Sequence, residues 1–334
     1  MSGKVFHAPF LQLHEGFELT GAWERSKHLI QKDYPEVKSY ASLEELLNDD
    51  IELVVVNTPV DTHYEYAKKV LEAGKHALVE KAFTTTAAEA EELKTLAQQK
   101  GLKLAVYQNR RWDSDFKTVK SVLEQNLLGD IVEAEFHFDR YNPLLSAKVH
   151  KETKSGGAGV LRDLGPHIID QALYLFGFPK AVFADVRITR EKSVVDDWID
   201  ILLYYPDKRV RLKAGFFVRE AVPSYALHGK KGSFLKSRGD IQEDVLKTGV
   251  KPNLEDWGAE PAERAGILHI DKGGKPYRHT VPTKPGNYYE FFDLLYQSVA
   301  MDKPEPVSAE DGLKVMKIID ATQQSSEQKK VIEL

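Results

Sequence analysis

The chain has 334 residues, 42% of them hydrophobic, with 46 basic and 51 acidic side chains and a net charge of −5. That length predicts about two domains, and the mild acidity argues against the basic surface that nucleic acids and anionic membranes require. The absence of cysteine excludes disulfides and thiolate zinc sites, and without a secretory signal or a membrane-spanning apolar run the chain is expected to be cytoplasmic.

The first third of the chain alternates short apolar strands with amphipathic helices. The strands are expected at 18–23, 52–57, 76–79 and 102–108. Between them, helices begin with capping boxes at Ser42 and Thr86 and end at glycines. Strands that alternate with helices predict an α/β domain with a parallel, doubly wound sheet.

From about residue 115 the hydrophobic pattern changes to period two. Apolar and polar side chains alternate through 131–141 and again through 209–216, and further strands are expected at 181–190 and 198–205. Successive strands of this kind predict a mostly antiparallel sheet with one wetter face. We therefore expect two domains, residues 1–115 and residues 116–334, the second an α+β domain with a final helix at about 309–325.

An acidic and a basic residue stand together at the end of the second expected strand. A carboxylate at Glu24 can accept hydrogen bonds from the ribose hydroxyls of NAD, whereas Arg25 can hold the 2′-phosphate of NADP. Glu24 inclines the prediction slightly towards NAD. The alternative is that both residues are solvated charges at a strand end.

Two further strands end in residues that can take part in binding or chemistry. Thr58 and Pro59 follow one buried strand, His63 begins the next helix, and Glu80 and Lys81 end the following strand. Ligands of open parallel sheets bind beyond the carboxyl ends of the strands. We expect these residues at the cofactor, with the lysine within reach of nicotinamide and substrate, although a surface lysine is the alternative.

Residues 156–170 are the most informative stretch. Asp163 is expected to cap a helix with Pro166 in its first turn. Asp163, His167 and Asp170 are spaced i, i+4, i+7, which places them on one helix face. A carboxylate one turn from a histidine can orient the imidazole and raise its proton affinity, as acid–base catalysis requires. The alternative is a capping aspartate and an exposed histidine.

Five short motifs follow one another in a recognisable order. They are Phe6-His7-Ala8-Pro9, Thr58-Pro59 with His63, Glu80-Lys81, Asn109-Arg110-Arg111-Trp112-Asp113, and Asp163-Leu164-Gly165-x-His167-x-x-Asp170. The set covers essentially the whole chain and resembles the glucose–fructose oxidoreductase/inositol dehydrogenase (Gfo/Idh/MocA) family. Residues 110–116 and 285–289 look closest to its NADP-dependent scyllo-inositol dehydrogenases.

This resemblance implies a Rossmann domain that binds NAD or NADP and a C-terminal domain whose open-faced sheet forms homodimers or homotetramers. In the implied reaction His167 takes the proton from the hydroxyl of a polyol, inositol or sugar as hydride leaves the same carbon. Asp163 orients the imidazole and stabilises its charged form, and Lys81 polarises the reacting oxygen. The substrate side is expected to be lined by Arg111, Trp112, Tyr141, Asp163 and His167. No metal site is expected.

Two features depart from the family's pattern. The family fingerprint is a strand followed by Gly-x-Gly-Met-x-Gly, in which Met1 aligns with the internal methionine and Gly3 with the last glycine. The first strand and two glycines are thus missing, and we expect a misassigned start, with a genuine truncation as the alternative. For Gly3 itself the alternative is a glycine in a disordered N-terminus. The family's Glu-Lys-Pro is here Glu80-Lys81-Ala82. A cis bond before alanine costs about 2.5–4 kcal/mol, against about 0.5–1 before proline, so both isomers stay open.

Three functions are compatible with these motifs. The first is a hydride-transferring dehydrogenase, which the combination of Lys81, Asp163 and His167 favours. The second is a dinucleotide-binding regulator or pseudoenzyme, which the missing glycines and Ala82 favour. The third is a cofactor-retaining sugar-active enzyme on the same scaffold. A small-molecule substrate is expected in the first and third cases, and neither nucleic acid nor a membrane in any of them.

Overall fold

The computed structural model describes residues 2–24, 29–147, 151–254 and 257–334. Arg25, one of the expected cofactor residues, lies outside these ranges. Within them, no helix is long and apolar enough to cross a membrane.

The N-terminal part of the chain alternates strands with helices, as the hydrophobic pattern predicts. Its strands are β1 (Gly21–Trp23), β2 (Lys38–Tyr40), β3 (Leu53–Val56), β4 (His76–Val79) and β5 (Leu104–Val106). A π-helical turn (Gly3–His7) continues into α1 (Ala8–Leu13), followed by α2 (Ile30–Asp33), α3 (Leu43–Asn48), α4 (His63–Glu72) and α5 (Ala87–Lys100). Ser42 and Thr86 cap α3 and α5 by accepting hydrogen bonds from the backbone N–H groups of Glu45 and Glu89.

The parallel strands form two separate sheets. β1 pairs with β2, and β3, β4 and β5 pair in that order. Among the described strands, β1 and β3 therefore each keep one unpaired edge, and a cavity of about 360 Å³ lined by β1, β3 and α1 lies beside them. This arrangement confirms the predicted doubly wound parallel sheet that lacks its first strand.

The C-terminal part is built on one nine-stranded sheet. Its strands are β6 (Ile131–His137), β7 (Ala181–Arg187), β8 (Trp198–Tyr204), β9 (Arg209–Gly215), β10 (Tyr225–Gly229), β11 (Gly232–Lys236), β12 (Gly266–Lys272), β13 (Lys275–Val281) and β14 (Ile332–Glu333). They lie in the order β13-β12-β11-β10-β6-β9-β8-β7-β14, antiparallel except for the parallel pair β6–β9. The mostly antiparallel sheet that period-two patterning predicts is confirmed.

The C-terminal part also contains the helices α6 (Ser114–Glu124), α7 (Val160–Asp163), α8 (Gly165–Phe176), α9 (Gln242–Lys247), α10 (Tyr289–Met301) and α11 (Ala309–Gln328). Of these, α6, α7, α8 and α11 pack on strands of the sheet. Ile168, Ile169 and Ala172 of α8 are fully buried in the same core as Ile201 and Leu212 of the sheet. The covered face is thus the apolar side of the alternating strands.

The last helix joins the two parts of the chain. Before it begins, the carbonyl of Val307 accepts a hydrogen bond from Val106 N–H (3.0 Å) at β5, and along it Asp320 accepts one from Ala87 N–H (2.9 Å) at α5. On its other side, Ser325 and Ser326 accept hydrogen bonds from backbone N–H groups of β7. Because α11 contacts both sheets, it fixes their relative position and with it the cleft between them.

Candidate active site

Lys81 joins the two halves of the molecule at the carboxyl end of β4. Its Nζ donates hydrogen bonds to the backbone oxygen of Asp163 (2.6 Å) and to Asp163 Oδ1 (3.2 Å). Its side chain is 19% exposed, so the ammonium group is largely shielded from water. Two residues that lie 82 positions apart in the sequence are therefore brought into direct contact.

Asp163 is held by two lysines. Lys151 Nζ donates to Asp163 Oδ2 at 2.8 Å, on the opposite carboxylate oxygen from Lys81. Burial alone would raise the pKa of Asp163, but the ammonium groups of Lys81 and Lys151 outweigh it and hold that pKa well below its usual range. The carboxylate is therefore ionised throughout the neutral range and fixes both lysines.

His167 lies near this ion pair but does not share a helix with Asp163. The helix breaks at Leu164: α7 ends at Asp163 and α8 begins at Gly165, with Pro166 in its first turn. Proline is tolerated in a first turn, where its missing N–H is not needed, so the N-cap is Leu164. This corrects two expectations, namely that Asp163 caps the helix and that a continuous helix carries both residues on one face.

The environment of His167 favours its neutral form. The side chain is 5% exposed, and its Nδ1 is buried without a hydrogen-bond partner among the described residues. Burial lowers the pKa of His167 well below its usual value, and the cations of Lys81 and Arg110 lower it further, against the opposing effect of Asp163. Asp163 raises the pKa of the imidazole as expected, but burial and the cations outweigh its effect.

Glu80 is the anchor of the N-terminal helix. Its carboxylate accepts hydrogen bonds from His7 Nε2 (2.9 Å), from the Ser2 hydroxyl and from Lys81 N–H (3.1 Å). Burial would raise the pKa of Glu80, but the hydrogen bond and charge of His7, followed by Ser2 and Lys81, lower it to about 2. Glu80, which directly precedes the candidate catalytic lysine, thus holds the start of the N-terminal helix next to it. The Lys81–Ala82 peptide bond is cis.

The other residues expected at the cofactor have different surroundings. His63 is buried, and its two ring nitrogens lie 2.8 Å from the carbonyl oxygens of Thr58 and Ala82, so it ties together the ends of β3 and β4 instead of facing the cleft. Glu24 accepts a hydrogen bond from Ile30 N–H (2.9 Å). Gly3 packs so closely on Asn57 that an added Cβ would lie 2.6 Å from its amide nitrogen.

Two of the residues expected to line the substrate side are committed elsewhere. Arg111 makes a bidentate ion pair with Asp170 (2.8 and 2.6 Å) and is 7% exposed. Trp112 packs in the core edge-to-face on Phe291. Both side chains therefore belong to the junction between the two parts of the chain, and their contact with substrate stays a prediction.

A cavity of about 330 Å³ opens beside Asp163, between the end of β3 and the C-terminal sheet. Thr58 and Pro59 line one wall, and Arg140, Asn142 and Lys151 belong to the other. Tyr141, the predicted residue of this segment, is not among the lining residues; it is 45% exposed and lies under the guanidinium of Arg219 at 3.8 Å. The residues on either side of it, Arg140 and Asn142, line the cavity.

Sequence reasoning missed Arg140 and Lys151. The alternation that puts Phe136 and Phe138 on the helix-covered face, continued by one step, puts Arg140 on that face too, so the pattern contained the signal. No periodic pattern marks Lys151, whose role depends on the fold of its loop onto Asp163. Among the described residues, no group of three or more histidine or carboxylate side chains could hold a metal ion.

The residues present fit a nicotinamide dinucleotide at the cavity. The carboxyl end of β3 supplies Thr58 and Pro59 to the cavity wall, and Lys81 at the end of β4 contacts Asp163 in that wall. The volume of about 330 Å³ is within the range of about 300–1,000 Å³ that small-molecule sites occupy. Because Gly3 has no side chain, its backbone lies directly beside Asn57 at the same edge of the sheet. Glycine at such a position allows a ligand to approach the backbone closely.

Comparison with known proteins identifies both parts of the chain. Residues 1–108 match the family described as "Oxidoreductase family, NAD-binding Rossmann fold", and residues 120–334 match "Oxidoreductase family, C-terminal alpha/beta domain". The chain is 39% identical over 335 residues to scyllo-inositol 2-dehydrogenase (NADP(+)) of Bacillus subtilis, covering 100% of this chain and 93% of that protein.

Solved structures show the same similarity. An oxidoreductase of Bacillus subtilis, YvaA, superposes with a TM-score of 0.94 at 39% identity, covering 100% of this chain and 97% of that one. An oxidoreductase of Bacteroides fragilis superposes with a TM-score of 0.90 at 44% identity, covering 100% and 96% of the two chains. The likeness therefore extends over both parts of the molecule at once.

Proposed function

The chain belongs to the Gfo/Idh/MocA oxidoreductase family, and from this premise we propose that it is an NAD(P)-dependent dehydrogenase of a polyol, inositol or sugar. In the proposed reaction a hydride passes from a hydroxyl-bearing carbon to the nicotinamide, and the alcohol becomes a ketone or aldehyde. The named activity of the Bacillus subtilis relative supports this substrate class.

The observation that carries the proposal is the contact of Lys81 with Asp163 beside the buried His167. A dehydrogenase of alcohols needs a base for the hydroxyl proton and a cation near the oxygen on which negative charge develops. The two parts of the chain supply one group each, and Asp163, which binds the lysine, lines a cavity of suitable size.

The state of each group suits its role. Because the pKa of His167 is lowered, the imidazole is neutral near pH 7 and is able to accept the hydroxyl proton. Lys81 is fixed by the backbone and carboxylate of Asp163, so its charge is already in place when negative charge develops on the substrate oxygen. Asp163 thus acts through the lysines in this proposal, as a positioning residue.

The cofactor would lie along the carboxyl ends of β1, β3 and β4. Thr58, Pro59 and Lys81 would hold its nicotinamide end, where the bound ring supplies the hydride acceptor. Gly3 would lie towards the phosphates, and Glu24 towards the adenosine ribose. Since Glu24 favours NAD and the Bacillus subtilis relative is named for NADP(+), the proposal includes both dinucleotides.

Cofactor binding and turnover test the proposal together. NADH and NADPH are titrated into the purified chain by fluorescence, and oxidation of scyllo-inositol, myo-inositol and glucose is followed by absorbance at the reduced cofactor's band. Binding of one dinucleotide with turnover of any of these alcohols is expected. Binding without turnover of these alcohols or of their acidic derivatives favours the regulator; no binding of either dinucleotide removes the basis of the dehydrogenase proposal.

A further inference from the structure

Three arginines and His167 surround one phenylalanine ring. The guanidinium carbons of Arg238, Arg140 and Arg110 lie 4.0, 5.2 and 5.9 Å from the ring centre of Phe138. The His167 ring lies 6.1 Å from the same centre. We call these four residues the Phe138 cluster. It places three permanent positive charges next to the proposed catalytic base.

Several buried nitrogens of the Phe138 cluster have no hydrogen-bond partner. Among the residues that the structure describes, Arg110 Nε, Arg238 Nε, Arg238 Nη1 and His167 Nδ1 are buried without a hydrogen bond. More than about 90% of buried polar groups in folded proteins are hydrogen-bonded. An arginine can only donate, so the partner that these groups require is an acceptor.

The nearby carboxylates are already engaged. Glu243 pairs with Arg110 and with Lys247, and Asp113 accepts a hydrogen bond from the Tyr288 hydroxyl at 2.8 Å. Asp113 lies 3.5 and 3.6 Å from the nearest nitrogens of Arg110 and Arg238, which is too far for a strong charge-assisted bond. The acceptors of the protein therefore leave part of each arginine fork free.

Arg140 connects the Phe138 cluster to the cavity. It is one of the residues that line the cavity beside Asp163. Its guanidinium stacks on Phe138 and makes no hydrogen bond or ion pair within the described part of the chain. The other arginine of the cavity wall, Arg190, is different, since Asp197 and Glu152 hold it at 3.0 and 2.9 Å.

We propose that Arg140, the residue of the Phe138 cluster that lines the cavity, binds an oxyanion of the substrate with the other charges of the cluster nearby, so that the substrate is an acidic polyol carrying a carboxylate or a phosphate. This inference rests on the proposed function, because it places the anionic group of the substrate beside His167. Planar guanidinium groups match the oxygens of carboxylate and phosphate with two parallel hydrogen bonds each. A neutral inositol has hydroxyl groups only and would offer Arg140 no anionic partner.

Binding measurements with matched ligands test the proposal. Glucuronate, glucose 6-phosphate and glucose share one ring and differ in their charged group, and each is titrated calorimetrically into the full chain, with and without NADPH. At least one of the two anions is expected to bind about tenfold or more tightly than glucose. The anion that binds distinguishes carboxylate from phosphate.

Substitution of Arg140 then identifies the site. Arg140→Met is expected to reduce the preference for the anion about tenfold or more, and Arg140→Lys to retain part of it. Arg219→Met is the matched control, because Arg219 is a nearby arginine that stacks on Tyr141 away from the cavity. It is expected to leave the preference unchanged.

Each remaining outcome decides against one of the two proposals. Equal binding of glucose and both anions, no binding of any of the three, or an unchanged preference in Arg140→Met overturns the Phe138 cluster as an anion site. Tight binding of an anion that depends on Arg140, when neither that anion nor a neutral inositol or sugar is oxidised by NAD or NADP, leaves the site standing and contradicts the dehydrogenase.

Discussion

At the scale of single residues, the proposed chemistry depends most on His167. His167→Ala removes the proposed base and leaves the contact of Lys81 with Asp163 in place. We expect kcat to fall by about 10²–10⁴-fold, the usual contribution of general acid–base catalysis, with little change in cofactor affinity. Steady-state kinetics and a fluorescence titration of the reduced cofactor measure the two quantities.

The control for this variant is another histidine. His228 is exposed on β10, and its ring bonds only to the Ser233 hydroxyl, at 2.8 Å, among the described residues. His228→Ala is expected to retain full activity. If His167→Ala also retained full activity, a different residue would be the base.

The lowered pKa of His167 predicts the pH dependence of the reaction. A histidine with its ordinary pKa of 6.5 would become half protonated at pH 6.5 and lose its capacity as a base below it. Because burial and the charges of Lys81 and Arg110 lower this pKa, His167 stays neutral as the pH falls through 6.5. We expect kcat/KM for oxidation to stay constant through pH 6.5 and to fall only at lower pH. An acidic limb centred at or above pH 6.5 would contradict the assignment.

The sequence located part of the candidate site residue by residue. Lys81, Asp163 and His167 could be singled out because short motifs mark them, and the structure brings all three to one place. Arg111 and Trp112 stand in an equally distinctive motif, yet they are buried at the junction of the two parts. A motif gives the positions of residues along the chain but not the partners that the fold assigns to them.

At the scale of elements, the link between Glu80 and the N-terminal helix predicts a dependence of stability on pH. The pKa of Glu80 is about 2 in the folded chain, against an ordinary value of 4.5. A carboxylate with a lowered folded pKa stabilises the fold above its unfolded pKa, and this contribution is lost as the pH falls from 4.5 towards 2. The contribution near pH 7 is of the order of 3 kcal/mol, since one pKa unit corresponds to about 1.4 kcal/mol.

Glu80→Gln tests this contribution. We expect the variant to be less stable than the parent at pH 7 and the difference to shrink as the pH is lowered from 4.5 to 3, in urea unfolding curves. Glu72→Gln, at an exposed carboxylate on α4, is the control and is expected to leave the free energy of unfolding nearly unchanged. A difference between Glu80→Gln and the parent that stayed constant down to pH 3 would show that the charge of Glu80 does not stabilise the helix.

The elements themselves were predictable where periodicity was strong. Strands expected at 131–141 and 209–216 correspond to β6 and β9, although β6 ends four residues and β9 one residue earlier than expected. The order of strands in the sheet was not predictable, because a period of two shows which face a residue occupies and not which strand lies beside it. The parallel pair β6–β9 within an otherwise antiparallel sheet is such a case. The break between α7 and α8 was missed because Pro166 permits a new helix to begin there.

At the scale of the whole molecule, the helix-free face of the nine-stranded sheet raises the question of assembly. Nine strands about 4.8 Å apart and about 20 Å long present roughly 800 Å², the area that each partner contributes to a standard interface. Phe183 is 40% exposed on this face and lies next to Leu202 in register, with Arg211 beyond it. We propose that the chain forms a homodimer or homotetramer through this face.

The oligomeric state of a double variant tests this proposal. Phe183→Asp with Leu202→Asp replaces the apolar pair by two like charges, which a second chain bound to this face would bury. Burial of unpaired charge is strongly unfavourable. Light scattering after size exclusion should give the parent the mass of two or four chains and the variant the mass of one. Circular dichroism checks that the variant remains folded, and Val250→Asp, at a position 54% exposed after α9, is the control that should keep the parent's mass. If the parent itself has the mass of one chain at micromolar concentration, the open face serves no self-assembly, and the cleft must then be complete within a single chain.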